Sequence, residues 1–245
     1  MGLKADPGRR RYCRQTPSPR YCDLLASYRQ LHTTGETALG LSPEATFSGK
    51  SLLPHAPAIR RWVQHTHSRR LLDYGAGKGQ QYLWRDIPLA NGEVAPDLKG
   101  YWGVDEITLY DPGFAPLSQL PEEVFDGVIC TDVLEHCPEE DLPWIVDELF
   151  SRARHFVYAS VACYPAKKSL PSGDNVHVTV RPPPWWEGMF AASAWRHGVA
   201  GYCLVATTKA RPPWRPWAKP QVVSQRFGME FGGGVAPTPP VPGGD

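Results

Sequence analysis

Short apolar runs alternate with helical periodicity along the middle of the chain. The apolar runs have the length and composition of buried strands, and they begin at Leu71, Tyr101, Ile107, Val128, His155 and Tyr202. Apolar residues also recur at every third or fourth position, which predicts helices over residues 21–31, 59–67, 80–85, 139–152 and 185–195. Strands that alternate with helices are typical of α/β proteins. We therefore predict a doubly wound, mostly parallel Rossmann-like sheet with helices on both faces.

The first apolar run leads directly into a glycine-rich loop. Leu71-Leu72-Asp73-Tyr74 is followed by Gly75, Gly77 and Gly79, and a helix is predicted to begin at Gln80. Glycine lets the backbone turn sharply and approach a ligand closely. The N-terminus of the following helix attracts anionic groups. A doubly wound sheet binds nucleotide-like cofactors at such a loop, so we expect a cofactor here.

The spacing of the glycines narrows the choice of cofactor. Dinucleotide-binding loops follow G-x-G-x-x-G, whereas this loop follows G-x-G-x-G and has an acid, Asp73, two residues before its first glycine. A carboxylate suits a cationic ligand better than a pyrophosphate. The segment 71–79 closely resembles the first motif of class I S-adenosylmethionine-dependent methyltransferases. This resemblance implies that S-adenosylmethionine is bound by Asp73, Tyr74, Gly75, Ala76, Gly77 and Gly79.

Two acidic residues are candidates for binding the ribose hydroxyls of such a cofactor. In this kind of sheet, an acid at the tip of the second strand binds the ribose. Tyr101-Trp102-Gly103-Val104 ends at Asp105, and Ile107-Thr108-Leu109-Tyr110 ends at Asp111. We assign Asp105 to the ribose because its run is the first to follow the helix, and Asp111 is the rival. The long connection 86–100 is interpreted as an excursion at the surface.

A second motif supports the same family. Residues 116–123 are too few for a complete strand and helix, so the third unit of the sheet is predicted to be trimmed. The block 125–136 then resembles the fourth-strand motif of the methyltransferase group that includes ubiquinone-biosynthesis and related small-molecule enzymes. The resemblance implies that Cys130, Thr131 and Asp132 border the methionine end of the cofactor. It covers residues 70–162 and specifies the fold and the cofactor, but not the acceptor.

The topology also indicates residues for catalysis. Methyl transfer from a sulfonium requires alignment of the acceptor with the methyl carbon, and it requires a base only if the acceptor must lose a proton. His136 and His177 are placed near the carboxyl ends of the strands, and both are candidate bases, with a structural role as the alternative. We expect the loop 163–177 to bind the substrate and Asp174 to fix the tautomer of His177.

Composition divides the chain into four segments: a disordered basic arm at 1–20, a helical cap at 21–69, the methyltransferase core at 70–209, and a partly disordered Pro/Gly/Trp-rich tail at 210–245. Helices before the first strand commonly pack over the cofactor site in methyltransferases of this type. The resemblance therefore makes Tyr28, His32 and Phe47 candidates for lining that site, although ordinary core packing is the preferred interpretation.

Several classes of protein are disfavoured by the composition. The chain of 245 residues has a net charge of +1, which argues neither for nor against nucleic acid. It lacks an apolar run of about 18 residues and a signal-peptide core, so we predict a cytoplasmic protein without a membrane span. Its six cysteines form no C-x-x-C pair. We therefore expect reduced thiols and no metal site.

The sequence as a whole predicts an S-adenosylmethionine-dependent methyltransferase that acts on an unidentified small molecule. Two alternatives stay open. The basic arm and the Trp/Arg-rich stretch 211–217 allow a nucleic acid or a protein as the acceptor. A nicotinamide-dependent Rossmann oxidoreductase would also use a glycine-rich loop and a ribose acid, although G-x-G-x-G argues against it.

Overall fold

The computed structural model describes residues 11–36, 40–170, 172–199, 201–211, 217 and 219–229. Within these residues the α-helices are α1 Pro19–Thr34, α2 Ala56–Thr66, α3 Leu98–Trp102, α4 Leu142–Ser151 and α5 Pro183–His197. The strands are β1 Arg70–Tyr74, β2 Ile87–Pro88, β3 Val94–Ala95, β4 Glu106–Tyr110, β5 Phe125–Thr131, β6 Ala153–Ala162, β7 Gly201–Ala210 and β8 Gln221–Gly228. In this part of the chain, no helix is both long and apolar enough to cross a membrane.

Six of the strands form one sheet in the order β4-β1-β5-β6-β7-β8. The strands from β4 to β7 are parallel, and β8 pairs antiparallel with β7. The chain enters the sheet at β1, adds β4 on one side, and then continues from β5 on the other side. This change of direction makes the carboxyl end of β1 the topological switch point of the sheet. The predicted α/β architecture is confirmed.

The helices cover both faces of this sheet. Leu72 on β1 belongs to a core cluster that includes Ile145 of α4 and Phe190 of α5. The preceding residue, Leu71, belongs to a second cluster on the opposite face, where it joins Trp62 of α2. Successive residues of a strand point to opposite faces, so the continuous apolar run of β1 fills both layers of the core.

The third unit of the sheet is trimmed, as predicted. Only one 3₁₀ turn, Ala115–Leu117, separates β4 from β5, and β4 is the edge strand. The helix predicted over 80–85 is also short, because only Gln80–Tyr82 form a 3₁₀ turn after the glycine loop. The switch point therefore has a glycine loop without an α-helix directly behind it.

The second strand was misplaced by the sequence analysis. Tyr101 and Trp102 lie in α3, and β4 is the strand that pairs with β1. Asp97 caps α3 by accepting a hydrogen bond from the Gly100 N–H at 2.6 Å, and Gly103 ends the helix at φ 73°. These capping interactions and the burial of both aromatic side chains outweigh their preference for strands.

Both ends of the described chain differ from the predicted segments. Residues 1–10 and most of the tail lie outside the described residues, but β8 falls within the predicted tail and extends the sheet. The strand was missed because its polar and apolar residues are mixed, as expected at an edge. Within the predicted basic arm, residues 11–18 pack on the protein, and the Ser18 hydroxyl accepts the Tyr21 N–H at 3.0 Å to begin α1.

Candidate functional site

The glycine-rich loop follows β1 at the switch point. Gly75, Gly77 and Gly79 have φ angles of 87°, 60° and 68°, which favour glycine. A Cβ atom on Gly75 would lie 2.3 Å from Cγ2 of Val133, so the loop touches the segment that follows β5. A Cβ atom on Gly79 would lie 2.4 Å from Cδ1 of Leu109 on β4. The glycines therefore allow the loop to pack closely against both neighbouring strands.

Asp111 is the acid at this edge of the sheet, and Asp105 is not. Asp111 follows the carboxyl end of β4, and its Oδ2 accepts the N–H of Gly77 at 2.8 Å. Its Oδ1 accepts the N–H of Gly113 at 2.8 Å, and burial raises its pKa to about 6. Asp105 precedes the amino end of β4 and forms an exposed ion pair with Arg69. The misplaced strand explains why the sequence favoured Asp105 over Asp111.

The side chains of Asp73, Tyr74 and Cys130 lie inside the fold. Asp73 is 2% exposed, and its Oδ2 accepts hydrogen bonds from the Tyr82 hydroxyl at 2.7 Å and the Gln81 amide at 3.3 Å. Burial raises the pKa of Asp73 to about 7. Tyr74 and Cys130 belong to the core on the face of α4 and α5. These residues support the loop from within the protein.

An aromatic group from the helical cap covers Asp111. The ring of His32 lies between Phe47 and Phe114, with centroid distances of 4.7 and 5.3 Å. Its Nε2 is 3.9 Å from Oδ1 of Asp111, and burial lowers the pKa of His32 to about 4. The Nδ1 of His32 is buried and has no hydrogen-bond partner among the described residues. The cap thus contacts Asp111 beside the loop, and both ordinary packing and a role in lining a cofactor site are compatible with this contact.

A second polar group, which we call the edge cluster, lies beside the loop and consists of Asp132, Glu135, His136 and His177. One ligand atom from each residue lies within 4.8 Å of the others. Asp132 follows β5 at a φ of 61°, and a 3₁₀ turn, Leu134–His136, supplies the next two members. His177 comes from the segment after β6. The carboxyl edge of the sheet thus brings together the two histidines that the sequence singled out.

Backbone carbonyls orient both histidines of the edge cluster. Nδ1 of His177 is 2.7 Å from the carbonyl oxygen of Tyr164, and Nδ1 of His136 is 3.0 Å from that of Val176. A carbonyl only accepts, so in a neutral imidazole the proton lies on Nδ1 and the lone pair on Nε2. Asp174 was expected to orient His177, but its carboxylate is exposed and accepts from Ser172.

Glu135 is the most unusual member of the edge cluster. Its side chain is fully buried, and one oxygen accepts the Ala162 N–H at 2.7 Å. The other oxygen, Oε2, has no hydrogen-bond partner among the described residues. Burial and the negative charge of Asp132 raise the pKa of Glu135 well above its usual range. The positive charge of Lys168 acts on His136 of this cluster, and the Nζ of Lys168 is 3.3 Å from a carboxylate oxygen of Glu36, with which it forms an ion pair.

Glu135 was missed by the sequence analysis, which named Asp132 only as a cofactor contact. A metal site was not expected either, because the sequence contains no C-x-x-C pair or local Cys/His set of the kind that binds zinc. The useful signal was the spacing of Asp132, Glu135 and His136, at positions i, i+3 and i+4, directly after a buried strand. The fourth member, His177, belongs to another segment and joins the others only through the parallel sheet.

Comparisons with known proteins add little to this description. No protein-family model matches the sequence, and no curated protein matches it. Among solved structures, the chain is similar to an O-methyltransferase family protein from Burkholderia thailandensis, with a TM-score of 0.42 and 11% identity. The match covers 91% of this chain and 76% of that chain. A similarity this low does not establish a shared activity.

Proposed function

We propose that this protein is an S-adenosylmethionine-dependent methyltransferase. The observation that carries the proposal is the loop at the switch point, where three glycines with positive φ angles follow β1 and the Gly77 N–H binds Asp111 of the neighbouring strand. Open α/β sheets bind their ligands in the crevice at this point. The same loop carries the resemblance to the first motif of class I methyltransferases.

Asp111 is the proposed ligand of the ribose hydroxyls. Each of its oxygens already accepts one backbone N–H, but an ionised carboxylate has about four acceptor sites. Two hydroxyls can therefore still donate to it. The neighbouring His32 supports this placement, because its buried Nδ1 lacks a partner within the described chain and a bound cofactor would supply one.

The geometry behind the loop disfavours a nicotinamide dinucleotide. Dinucleotide enzymes bind the pyrophosphate at the N-terminus of the helix that follows the glycine loop. Here the loop leads into the 3₁₀ turn Gln80–Tyr82, and the next described α-helix is α3. A short 3₁₀ turn provides a weaker dipole than an α-helix. A cofactor with an ammonium and a sulfonium group has less need of that dipole.

The chain's part in methyl transfer is mainly alignment. The sulfonium is already activated, so the protein must hold the acceptor in line with the methyl carbon. The edge cluster is suited to this task because it adjoins the loop through the contact between Val133 and Gly75. We propose a small-molecule acceptor, with a nucleic acid or a protein as the alternative.

Calorimetry with S-adenosylhomocysteine and with NAD⁺ tests the cofactor. We expect S-adenosylhomocysteine to bind and Asp111→Ala to weaken it about a hundredfold or more, since two charge-assisted hydrogen bonds of about 1.5–3 kcal/mol each are lost. Asp105→Ala is the matched control and should bind normally, because Asp105 lies at the other end of β4. Binding of NAD⁺, with no binding of S-adenosylhomocysteine at millimolar concentration, would sink the proposal.

A radiolabelled methyl donor tests the acceptor. The full chain is incubated with the labelled donor and, separately, with a metabolite pool, RNA, DNA and a protein extract. We expect label in the metabolite fraction. Salt-sensitive labelling of RNA or DNA that is lost on deleting residues 1–10 would favour the nucleic-acid alternative, since this deletion spares Arg14 and Ser18, which hold the segment before α1.

A further inference from the structure

We propose that Asp132, Glu135, His136 and His177 bind one divalent transition-metal ion. The four side chains come from two segments that meet at the carboxyl edge of the sheet, and each presents one ligand atom to the same point. This proposal departs from the sequence analysis, which predicted no metal site. It stands on the spacing of the ligand atoms, the orientation of the imidazoles and the unpartnered oxygen of Glu135.

The spacing fits an ion with ordinary bond lengths. In an octahedral complex with bonds of about 2.1–2.2 Å, neighbouring ligand atoms lie about 3 Å apart and opposite ones about 4.3 Å apart. The ligand atoms of the edge cluster lie within 4.8 Å of one another. Side-chain rotations that shorten these separations to about 3–4.3 Å would close the site.

Both imidazoles are held in the tautomer that a metal requires. The Nδ1–H groups of His136 and His177 face the carbonyl oxygens of Val176 and Tyr164. Histidines that bind metals usually donate their other N–H to a carbonyl or carboxylate, which fixes the ring and directs the free nitrogen toward the ion. The hydroxyl of Tyr28 adds a contact of 2.8 Å to His136 Nδ1.

The buried oxygen of Glu135 gives an independent reason for a cation. A buried carboxylate without a partner is strongly destabilising unless a proton or a cation neutralises it. Oε2 of Glu135 has no hydrogen-bond partner in the described part of the chain, and Asp132 brings a second negative charge close to it. A divalent ion balances both carboxylates. A proton shared between them is the competing explanation, and the experiment below distinguishes the two.

The donor set selects the kind of ion. Two imidazole nitrogens and two carboxylate oxygens suit Mn²⁺, Fe²⁺, Co²⁺, Ni²⁺ or Zn²⁺, whereas Mg²⁺ prefers oxygen ligands alone. Four protein ligands leave two positions of an octahedral ion open. The site is therefore suited to hold a further ligand that carries oxygen donors.

The open positions on the ion indicate the class of acceptor, and this step of the inference rests on the proposed function. The ion would hold a hydroxyl of the acceptor beside the loop and lower the pKa of that hydroxyl, so that its proton passes to solvent. A lone pair of the oxygen then forms the bond to the methyl carbon. The carbon–sulfur bond breaks with its electron pair on sulfur, which yields S-adenosylhomocysteine. The acceptor is accordingly a hydroxyl compound.

Metal binding is tested on the full chain without cofactor. After treatment with EDTA and removal of the chelator, Mn²⁺ binding is followed by electron paramagnetic resonance and calorimetry. We expect one Mn²⁺ per chain, and at least a hundredfold weaker binding in Glu135→Gln and His177→Gln. Asp174→Asn changes an exposed acid in the same region and should bind Mn²⁺ like the unmodified protein. Circular dichroism checks that each variant folds.

Two outcomes overturn the proposal. One is the absence of Mn²⁺, Co²⁺ and Zn²⁺ binding at concentrations up to about 1 mM, roughly the weak end of specific affinities. The other is a folded Glu135→Gln variant that binds Mn²⁺ normally. Glutamine mimics a protonated glutamate, so this second outcome would favour the shared proton.

Failure of the metal site and failure of the proposed function are distinguishable. If the protein binds S-adenosylhomocysteine but no metal ion, the metal site is rejected and the methyltransferase proposal stands. If it binds Mn²⁺ but not S-adenosylhomocysteine, the methyltransferase proposal is rejected and the metal site stands. If both bind, EDTA should abolish methylation of hydroxyl acceptors and Mn²⁺ should restore it. Turnover that persists in EDTA would reject the role assigned to the ion.

Discussion

Two carboxylates on neighbouring elements, Glu148 largely buried and Glu135 fully buried, have opposite surroundings. Glu148 of α4 binds the guanidinium of Arg14 through both of its oxygens, and it also accepts the hydroxyl of Tyr74 at 2.8 Å. Glu135 of the edge cluster accepts one backbone N–H, and its second oxygen has no hydrogen-bond partner in the described chain. The first acid is neutralised by the fold itself. The second acid has one hydrogen-bond partner in the described chain, so its charge must be balanced by a proton or a cation.

The difference separates a structural acid from a functional one. Arg14 fixes the segment before α1 against the sheet, and its guanidinium also lies over the rings of Tyr110 and Trp144, at 5.3 and 5.7 Å. Such a group stabilises the protein whether or not a ligand is bound. A buried carboxylate without a partner destabilises the protein until a cation binds. This destabilisation is tolerated where binding requires it.

The largest expected effect is the response of the edge cluster to metal. At a free Mn²⁺ concentration of a thousand times the dissociation constant, the free energy of unfolding should rise by about 4 kcal/mol. Urea denaturation with Mn²⁺ and with EDTA measures this rise. Arg14→Met should show the same rise, because Glu148 takes no part in binding, whereas Glu135→Gln should lose most of it. A variant-independent rise would indicate that Mn²⁺ acts elsewhere on the protein.

The next effect concerns the pair of Arg14 and Glu148. Arg14→Met should lower the free energy of unfolding by about 2–3 kcal/mol, because it leaves a buried charge without its partner, and the partial exposure of Arg14 reduces the full cost. Arg69→Met is the matched control, since Arg69 pairs with Asp105 at the surface and should leave the free energy of unfolding nearly unchanged. Equal losses in the two variants would contradict the contrast between a buried and a surface pair.

Local patterns were sufficient to predict much of the fold. Apolar runs and periodicity were sufficient to predict the strands β1, β5 and β6 and the helices α2, α4 and α5. Burial of an element requires apolar residues at regular positions, and these lie close together in the sequence. The error at Trp102 arose where β-type composition opposed the helix caps at Asp97 and Gly103. The missed strand β8 has no continuous apolar run, since an edge strand has little side-chain surface to bury.

The pairing of charged side chains could not be predicted from local sequence patterns. Arg14 and Glu148 are separated by 134 residues, and nothing near either of them indicates the other. His136 and His177 were singled out because the topology places both near one edge. That Glu135 is buried beside them, with one oxygen unpartnered, depends on tertiary contacts such as the one with Ala162. The sequence can therefore suggest which residues meet, but not which of them remain unpaired.

The smallest effect gives the most direct test of the comparison, because one chemical change is made at both acids. Glu135→Gln should raise the free energy of unfolding in EDTA at pH 7 by about 1 kcal/mol, since it removes a carboxyl group whose ionised form is disfavoured by burial and by Asp132 in the folded protein. The amide oxygen can still accept the Ala162 N–H, and the amide nitrogen can donate to Asp132. Glu148→Gln should lower stability by about 1–2 kcal/mol, because Arg14 then loses its anionic partner.

The opposite signs of these two changes are what the comparison requires. Both variants keep the size and shape of the side chain, so differences in packing largely cancel, and urea denaturation of the two proteins under the same conditions isolates the effect of charge. A loss of stability in Glu135→Gln as large as that in Glu148→Gln would mean that both acids have their partners within the chain. The charge argument for a cation would then disappear, and the orientation of the two imidazoles would have to support the metal site alone.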